Sequence, residues 1–492
     1  MTLPRIAADR PPASRWLVLV IVCLAQFMVI LDATVTNVAL PSIQRSLGFS
    51  AADLQWVINA YTLLFGGFLL LGGRAGDLFG RRRLFLIGLI LFTLASLLCG
   101  LATSSTWLIV ARALQGLGAA LVSPAALSII TTTFTDKAER TKALGIWGAI
   151  AGGGGAFGLL LGGVLTESLS WEWIFFVNVP IGLIALASSA RFVPESRLTE
   201  RKAGFDFAGA LLATGGLVLL TLAIVRSQAW GFGDPRTLGL GALALGLLAG
   251  FVAFERRHRA PLVRLDVFRV RSLAAANASM LLVAGGLFSF FFFGSLYLQE
   301  VKGYSPVQAG VAFLPMTAGI MGGSILSQAL IRRLGVKPVL VGGLTTAALG
   351  MVWMTGLTPA SSYAGGLLPG LVLLALGMGN TFVPLTLTAT ANLEAGDQGL
   401  ASGIFNTAQQ VGGALGLAIL STVASHATSS QLGDAGFRPT GAERSAALVH
   451  GFTSAFSVGA VLMLFGAGLA AVWLRRRDVA TISTSDAIAV PA

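Results

Sequence analysis

Charge is scarce in this chain. Only 11% of its 492 residues are Asp, Glu, Lys or Arg, against about 25% in an average soluble domain. Such a chain is neither a soluble globule nor a disordered, self-solvating polymer. Two cysteines are too few for a secreted disulfide scaffold, and both Cys23 and Cys99 sit inside apolar runs. Three histidines, spread over His258, His426 and His450, leave no metal-ligand cluster. There is no Walker loop and no nucleophile–base signature, so an enzyme and an ATP-driven pump are both disfavoured, and no cofactor is expected.

What is abundant is apolar sequence. Hydrophobic residues make up 55% of the chain and the mean hydropathy is +0.82. The runs are long and unbroken, unlike the short alternating segments of an outer-membrane barrel. A membrane-spanning helix needs about 20 mostly apolar residues. Fourteen such runs can be marked, at 15–40, 54–73, 84–103, 107–131, 141–166, 173–192, 206–226, 237–254, 273–298, 306–331, 338–357, 364–390, 398–424 and 450–474. The run from Trp16 is too long for a signal-peptide core and reads as an uncleaved first span. The fold class expected is therefore an all-α polytopic membrane protein with 14 transmembrane helices, whose main partner is the lipid bilayer.

The net charge of +12 invites a nucleic-acid reading, but the position of the charge argues against one. The bases fall in short clusters between spans, and the clusters alternate in density. One side carries 26 of the 33 Lys and Arg residues, among them Arg81 to Arg83, Arg256, Arg257 and Arg475 to Arg477, while the opposite side carries six. Basic loops stay in the cytoplasm, so both termini are expected there, in a multi-pass protein of the cell inner membrane.

The chain also repeats itself. Gly48-Phe49-Ser50 matches Gly303-Tyr304-Ser305 at an offset of 255, and Gly80 matches Gly335 at the same offset. Gly145-Ile146-Trp147 matches Gly403-Ile404-Phe405 at an offset of 258, followed by Gly154, Gly155, Ala156 and Gly158 against Gly412, Gly413, Ala414 and Gly416. Two six-helix halves are expected, 15–192 and 273–474, with a central insert of two helices (193–272) and cytoplasmic ends at 1–14 and 475–492. Parallel halves around a midplane cavity are a transporter plan.

Only Asp32 among the acids lies deep in a span, and Arg112 is the only base inside one. A charge at the bilayer centre costs roughly 2.5–3.5 kcal/mol, so it is expected to face a cavity or a partner. Asp32 lies nine residues before Pro41, ~13 Å from the outer end of span 1. Arg112 lies five residues after Trp107, ~8 Å from the same side. A long Arg side chain spans the difference, so the two are expected to pair. An acid that alternates between a proton and an Arg partner is a proton-coupling site; a permanent structural pair is the alternative.

The loop Gly73-Arg74-Ala75-Gly76-Asp77-Leu78-Phe79-Gly80-Arg81-Arg82-Arg83 mixes tight-turn glycines with charges of both signs. Asp77 is placed to cap the next helix and to pair with Arg74 or Arg81, forming a cytoplasmic gate. Span 5 carries Gly145, Gly154, Gly155, Gly158 and Gly162, which suit close helix packing, bending, or both. Gln26, Asn37, Gln115, Asn277, Asn380, Asn406 and Gln409 are polar side chains inside spans, and with Phe288 they are the candidates for a substrate cavity. The run Phe290 to Phe293 points all round a helix and is expected to face lipid for the most part; Trp171 and Trp173 suit a membrane-interface belt.

Together these residues resemble the major facilitator superfamily, in particular its fourteen-helix drug–proton antiporter branch. Leu31-Asp32-Ala33-Thr34-Val35-Thr36-Asn37-Val38-Ala39-Leu40-Pro41 resembles the branch's first-helix motif, and Gly73 to Arg83 the superfamily's signature loop. Arg112-Ala113-Leu114-Gln115-Gly116-Leu117-Gly118 resembles the fourth-helix motif linked to proton transfer, and Trp171 to Pro180 resembles a further segment typical of the branch. The chain departs from the pattern in three places: Leu159 rather than Pro follows Gly158, Glu172 replaces an Arg, and Gln409 stands where a base is common. The resemblance implies a monomeric exporter of amphipathic small molecules, drugs or antibiotics, exchanging them for protons by alternating access. The alternatives are a uniporter, a proton-coupled exporter of a lipid, siderophore or metabolite, and a non-transporting membrane sensor.

Overall fold

The computed structural model describes residues 14–196, 206–258, 261–391, 398–433 and 440–475. Arg5, Arg10, Arg197, Arg201, Lys202, Arg259, Arg438, Arg476, Arg477 and the tail 478–492 lie outside the described residues. The N-terminal half comprises α1 (Arg15–Leu47), α2 (Trp56–Phe79), α3 (Arg81–Gly100), α4 (Ser105–Thr133), α5 (Lys137–Ser168), α6 (Trp173–Phe176) and α7 (Asn178–Phe192). The insert is α8 (Phe207–Trp230) and α9 (Pro235–Glu255). The C-terminal half comprises α10 (Arg271–Leu296), α11 (Pro306–Ala312), α12 (Leu314–Leu334), α13 (Val336–Met354), α14 (Leu368–Thr390), α15 (Gln398–Leu432) and α16 (Gly441–Trp473). No strand occurs among the described residues.

Among the described residues, fourteen helical stretches are long and apolar enough to cross a membrane; α6 with α7, and α11 with α12, make one span each. Lipid supplies no hydrogen bonds, so backbone polar groups must be satisfied inside the helix. The ends are closed by local chemistry. Asp136 accepts from the N–H groups of Ala138 and Glu139 at 3.0 Å to start α5, and Thr440 and Glu443 form a reciprocal capping box at α16. An even number of crossings puts residues 14 and 475 on one side, called here the terminal face; the other is the far face.

Two pairs of the repeated glycines share a backbone conformation. Gly48 and Gly303 both end a span at positive φ, 66° and 67°, and Gly80 and Gly335 both do so at the terminal face, at 110° and 85°. Left-handed backbone of this kind is readily adopted only by glycine. The insert packs α8 against α2 and α15, with Phe207 6.5 Å from Phe68 and Gln228 donating to Thr422 Oγ1 at 3.1 Å. Helix α9 stands outermost, with Leu243 and Leu245 exposed.

Helix α10 corrects one expectation. Phe290, Phe292 and Phe293 are at most 2% exposed, so the aromatic run does not face lipid. Helix α10 is surrounded by α1, α14, α15 and α16, and its rings pack edge-on or tilted against Phe313, Phe452 and Phe456. A helix apolar on all sides belongs in the middle of its bundle.

The halves meet at the far face. Ser295 Oγ donates to the Asn37 carbonyl at 2.7 Å, Gln299 Nε2 to the Val38 carbonyl at 2.8 Å, and the Val307 N–H to Glu167 Oε2 at 3.0 Å. A further bond between halves joins Thr407 Oγ1 to the Gly66 carbonyl at 3.2 Å, where α2 crosses α15.

Helices α2 and α4 approach very closely at Gly116, where a Cβ would stand 2.2 Å from the Tyr61 carbonyl oxygen. Gly116→Val is therefore expected to force the two helices apart. Overpacking of this kind costs about 1–3 kcal/mol, measurable as a lower melting temperature of the purified protein.

Candidate functional site

Asp32 and Arg112 meet inside the N-terminal half. Arg112 Nη1 donates to Asp32 Oδ2 at 2.6 Å, and the two side chains are 1% and 0% exposed. A bare pair of buried charges seldom repays its desolvation, so the remaining lone pairs and protons need partners. The surrounding helices supply them. Gln115 Nε2 and Asn178 Nδ2 donate to Asp32 Oδ1 at 2.7 and 3.0 Å. Arg112 also donates to Gln115 Oε1 at 2.7 Å and, through Nε, to the Val57 carbonyl at 2.9 Å. Its guanidinium lies 4.4 Å from the Tyr61 ring centroid and 5.6 Å from that of Phe175. Asn178 is in turn tied to Ser96 at 3.1 Å. Six helices, α1, α2, α3, α4, α6 and α7, thus converge on one carboxylate and one guanidinium.

This geometry moves Gln115 out of the cavity set. It is 0% exposed and locked between the two charges. Asn178 and Tyr61 belong to the same network and were not singled out from the sequence; Asn178 does fall within the Trp171 to Pro180 segment. Trp171 is also corrected: it is 5% exposed and packs in the core beside Phe175, whereas Trp173 is exposed.

The remaining cavity candidates separate by exposure. Asn406 on α15 is exposed, while Gln26, Asn37, Phe288 and Gln409 are half-buried. Asn37 donates to its own helix at the Ala33 carbonyl, 3.0 Å away. Asn277 and Asn380 are buried and donate to Leu273 and Leu376, again within their own helices, at 2.8 and 2.9 Å. Each thus commits one of its two amide hydrogens to its own helix. Phe288 lies across α15 at Gly413, where a Cβ would meet its ring at 2.4 Å.

The glycines of α5 include a packing surface against α1, and α5 runs unbroken through them. A Cβ would stand 3.2 Å from Ile30 at Gly154, 1.9 Å from Thr34 Oγ1 at Gly158 and 2.7 Å from Val35 at Gly162. At Gly155 the nearest atom is 3.9 Å away, and at Gly145 nothing lies within 4 Å, so Gly145 has no packing role here.

At the terminal face, Asp77 lies inside α2 and accepts from Arg81 Nη2 at 2.8 Å and Nε at 3.1 Å. It does not cap α3. That role falls to Glu195, whose carboxylate accepts from the N–H groups of Arg82 and Arg83 at 3.1 Å each. Gly80 makes room for it: a Cβ there would be 2.7 Å from Glu195 Oε1. Arg82 also donates to the Ala190 carbonyl. Gly73 and Gly76 lie within α2; a Cβ at Gly73 would meet only Pro124 of α4, at 3.5 Å, and one at Gly76 would touch Leu84 at 3.8 Å. The sequence alone did not mark Glu195, which is more than a hundred residues from the N–H groups it caps. Glu195→Ala is expected to cost about 1–2 kcal/mol of stability, read as a lower melting temperature that Glu195→Gln partly restores.

The family model described as Major Facilitator Superfamily matches residues 22–417. The chain belongs to this superfamily. It is accordingly a membrane transporter and not an enzyme, a multi-pass protein of the inner membrane. The puromycin resistance protein pur8 of Streptomyces alboniger is 44% identical over 489 residues, covering 99% of this chain and 96% of that protein. The cephamycin export protein CmcT of Amycolatopsis lactamdurans is 44% identical over 418 residues, covering 84% and 85%. Among solved structures, a bacterial homolog to the human lysosomal transporter Spinster shares the fold, with a TM-score of 0.64, 18% identity, and coverage of 95% of this chain and 98% of that one.

Proposed function

We propose that the protein exports amphipathic small molecules, antibiotics among them, from the cytoplasm in exchange for protons. The observation that carries the export reading is near-full-length similarity to proteins named for antibiotic resistance and export. The excess of Lys and Arg in the loops of the terminal face supports placing that face in the cytoplasm. The bonds that join the halves at the far face then close this form to the outside.

Proton coupling is assigned to Asp32. In this outward-closed form its carboxylate holds Arg112, Gln115 and Asn178. Opening outward would give it a proton and release Arg112; returning inward would restore the pair. One charge crossing 100 mV supplies about 2.3 kcal/mol, enough for roughly a 50-fold gradient of a neutral substrate. Asp77 with Arg81, braced by Glu195, latches the cytoplasmic loop. Asp77→Ala is expected to slow turnover several-fold with normal membrane insertion, measured as initial export rate per molecule of inserted protein.

A second reading has support of its own. The Asp32–Arg112 pair is fully buried and its carboxylate accepts three hydrogen bonds, as in a permanent clamp. Transport would then be uniport, or would be driven through another group. The function is tested with radiolabelled puromycin in cells carrying the gene. Export predicts lower accumulation than in control cells, and accumulation should rise when an uncoupler collapses the proton gradient. Equal accumulation with and without the protein overturns export of this probe; export indifferent to the uncoupler overturns the coupling.

A further inference from the structure

A cavity of about 840 Å³ opens at the far face, above the bonds that close the two halves. Its walls come from both: the end of α1 supplies Gln44 and Arg45, the turn after α10 supplies Glu300 and Tyr304, and the start of α16 supplies Arg444 and Leu448. Pockets of 300–1,000 Å³ with a few convergent polar groups are of ligand size.

The charges here are arranged unusually. Glu300 lies in the field of both Arg45 and Arg444. Yet among the described residues no ion pair within 4 Å joins it to either guanidinium, although an exposed pair as long as Arg226–Asp53, at 3.8 Å, does form elsewhere. Arg45 is held back by its own helix, donating to the Pro41 carbonyl at 3.2 Å and to Ser42 at 3.4 Å. Glu300 is held by a π-helical turn, Tyr297–Val301. That turn is pinned by the Tyr297 hydroxyl on the Thr358 carbonyl at 3.0 Å and by Lys302 Nζ on the Pro359 carbonyl at 2.9 Å. Short π turns cluster at functional sites because they redirect side chains that an α-helix would place elsewhere. Here the turn sends Gln299 to the Val38 carbonyl and Glu300 to the cavity.

We propose that this cavity binds a small zwitterion, with its carboxylate between Arg45 and Arg444 and its ammonium on Glu300. Guanidinium groups suit a carboxylate, and a fixed carboxylate beside them penalises a ligand that lacks the compensating cation. Tyr304 and Leu448 give an apolar substituent a surface. Because the walls belong to both halves, an occupant stabilises the closed far face by its differential affinity for that state. The site is distinct from Asp32 and does not depend on proton coupling. That it faces the outside rests on the proposed orientation.

The test is equilibrium binding of tritiated alanyl-phenylalanine to the intact protein in nanodiscs, where both faces are accessible. Saturable millimolar or tighter binding is expected. Glu300→Gln and Arg444→Gln, both at exposed positions, should each weaken it about tenfold. N-acetylated alanyl-phenylalanine, which lacks the ammonium, should bind the unaltered protein about tenfold more weakly than the free dipeptide, and Glu300→Gln should abolish that preference. No saturable binding, or binding that is the same in all three proteins, overturns the site. A loss on Arg444→Gln with the ammonium preference intact in Glu300→Gln overturns the role given to Glu300.

Discussion

Asp32→Asn is expected to insert and fold, to lose proton-driven export, and to keep substrate-for-substrate exchange. The amide is the same size as the carboxylate and retains one acceptor for Arg112. Arg112 also keeps the Val57 carbonyl, Gln115 Oε1 and the faces of Tyr61 and Phe175. What is lost is the group that takes up a proton. At 100 mV the steady gradient of a neutral substrate should fall by roughly 50-fold, to that of passive equilibration. Exchange moves no net proton and should continue. Loading proteoliposomes with unlabelled puromycin and following entry of labelled puromycin measures the second quantity; an imposed pH gradient measures the first. Undiminished proton-driven transport would assign the coupling to another residue.

Arg112→Met is expected to act in the opposite way, on the fold before the transport. It leaves Asp32 buried, without a cation, among donors too few to replace a guanidinium. Removing one partner of a buried pair costs about 3–5 kcal/mol, reduced to the extent that the stranded acid takes a proton instead. Low yield and a much lower melting temperature should follow. Adding Asp32→Asn to Arg112→Met should recover a large share of that loss, because the uncompensated charge disappears. The cycle of two single variants and the double variant isolates the coupling between the pair. Additive losses would show that the two side chains act on the fold separately, whatever their distance.

The spans were legible because lipid imposes a length and a composition that few other settings require. The two lone charges were legible for the same reason: in a chain this apolar, a buried Asp and a buried Arg at matching depth stand out. Their companions did not. Gln115 and Asn178 look like any other polar side chain in a span, and only the packing of α4 and α7 on α1 separates them from Asn406, which is exposed. Glu195 was invisible because the N–H groups it caps precede it by more than a hundred residues; Asp77, adjacent to their helix, was the obvious choice and is engaged by Arg81 instead. The phenylalanine run was misjudged because periodicity says which residues share a face, not how many faces are covered. Helix α10 is covered on most of them, with Leu281 left exposed. Likewise Trp171 reads as an interface residue by type, but the turn into α6 folds it inward.

The decisive measurement is lumenal pH in proteoliposomes, recorded with a trapped dye while a puromycin gradient is the sole driving force. Protein-free and Asp32→Asn vesicles set the baseline. Coupled exchange requires protons to move against the puromycin flux in a fixed ratio, with that movement absent in Asp32→Asn. Puromycin flux through the unaltered protein with no pH change above baseline would show instead that Asp32 and Arg112 are a structural clamp in a uniporter.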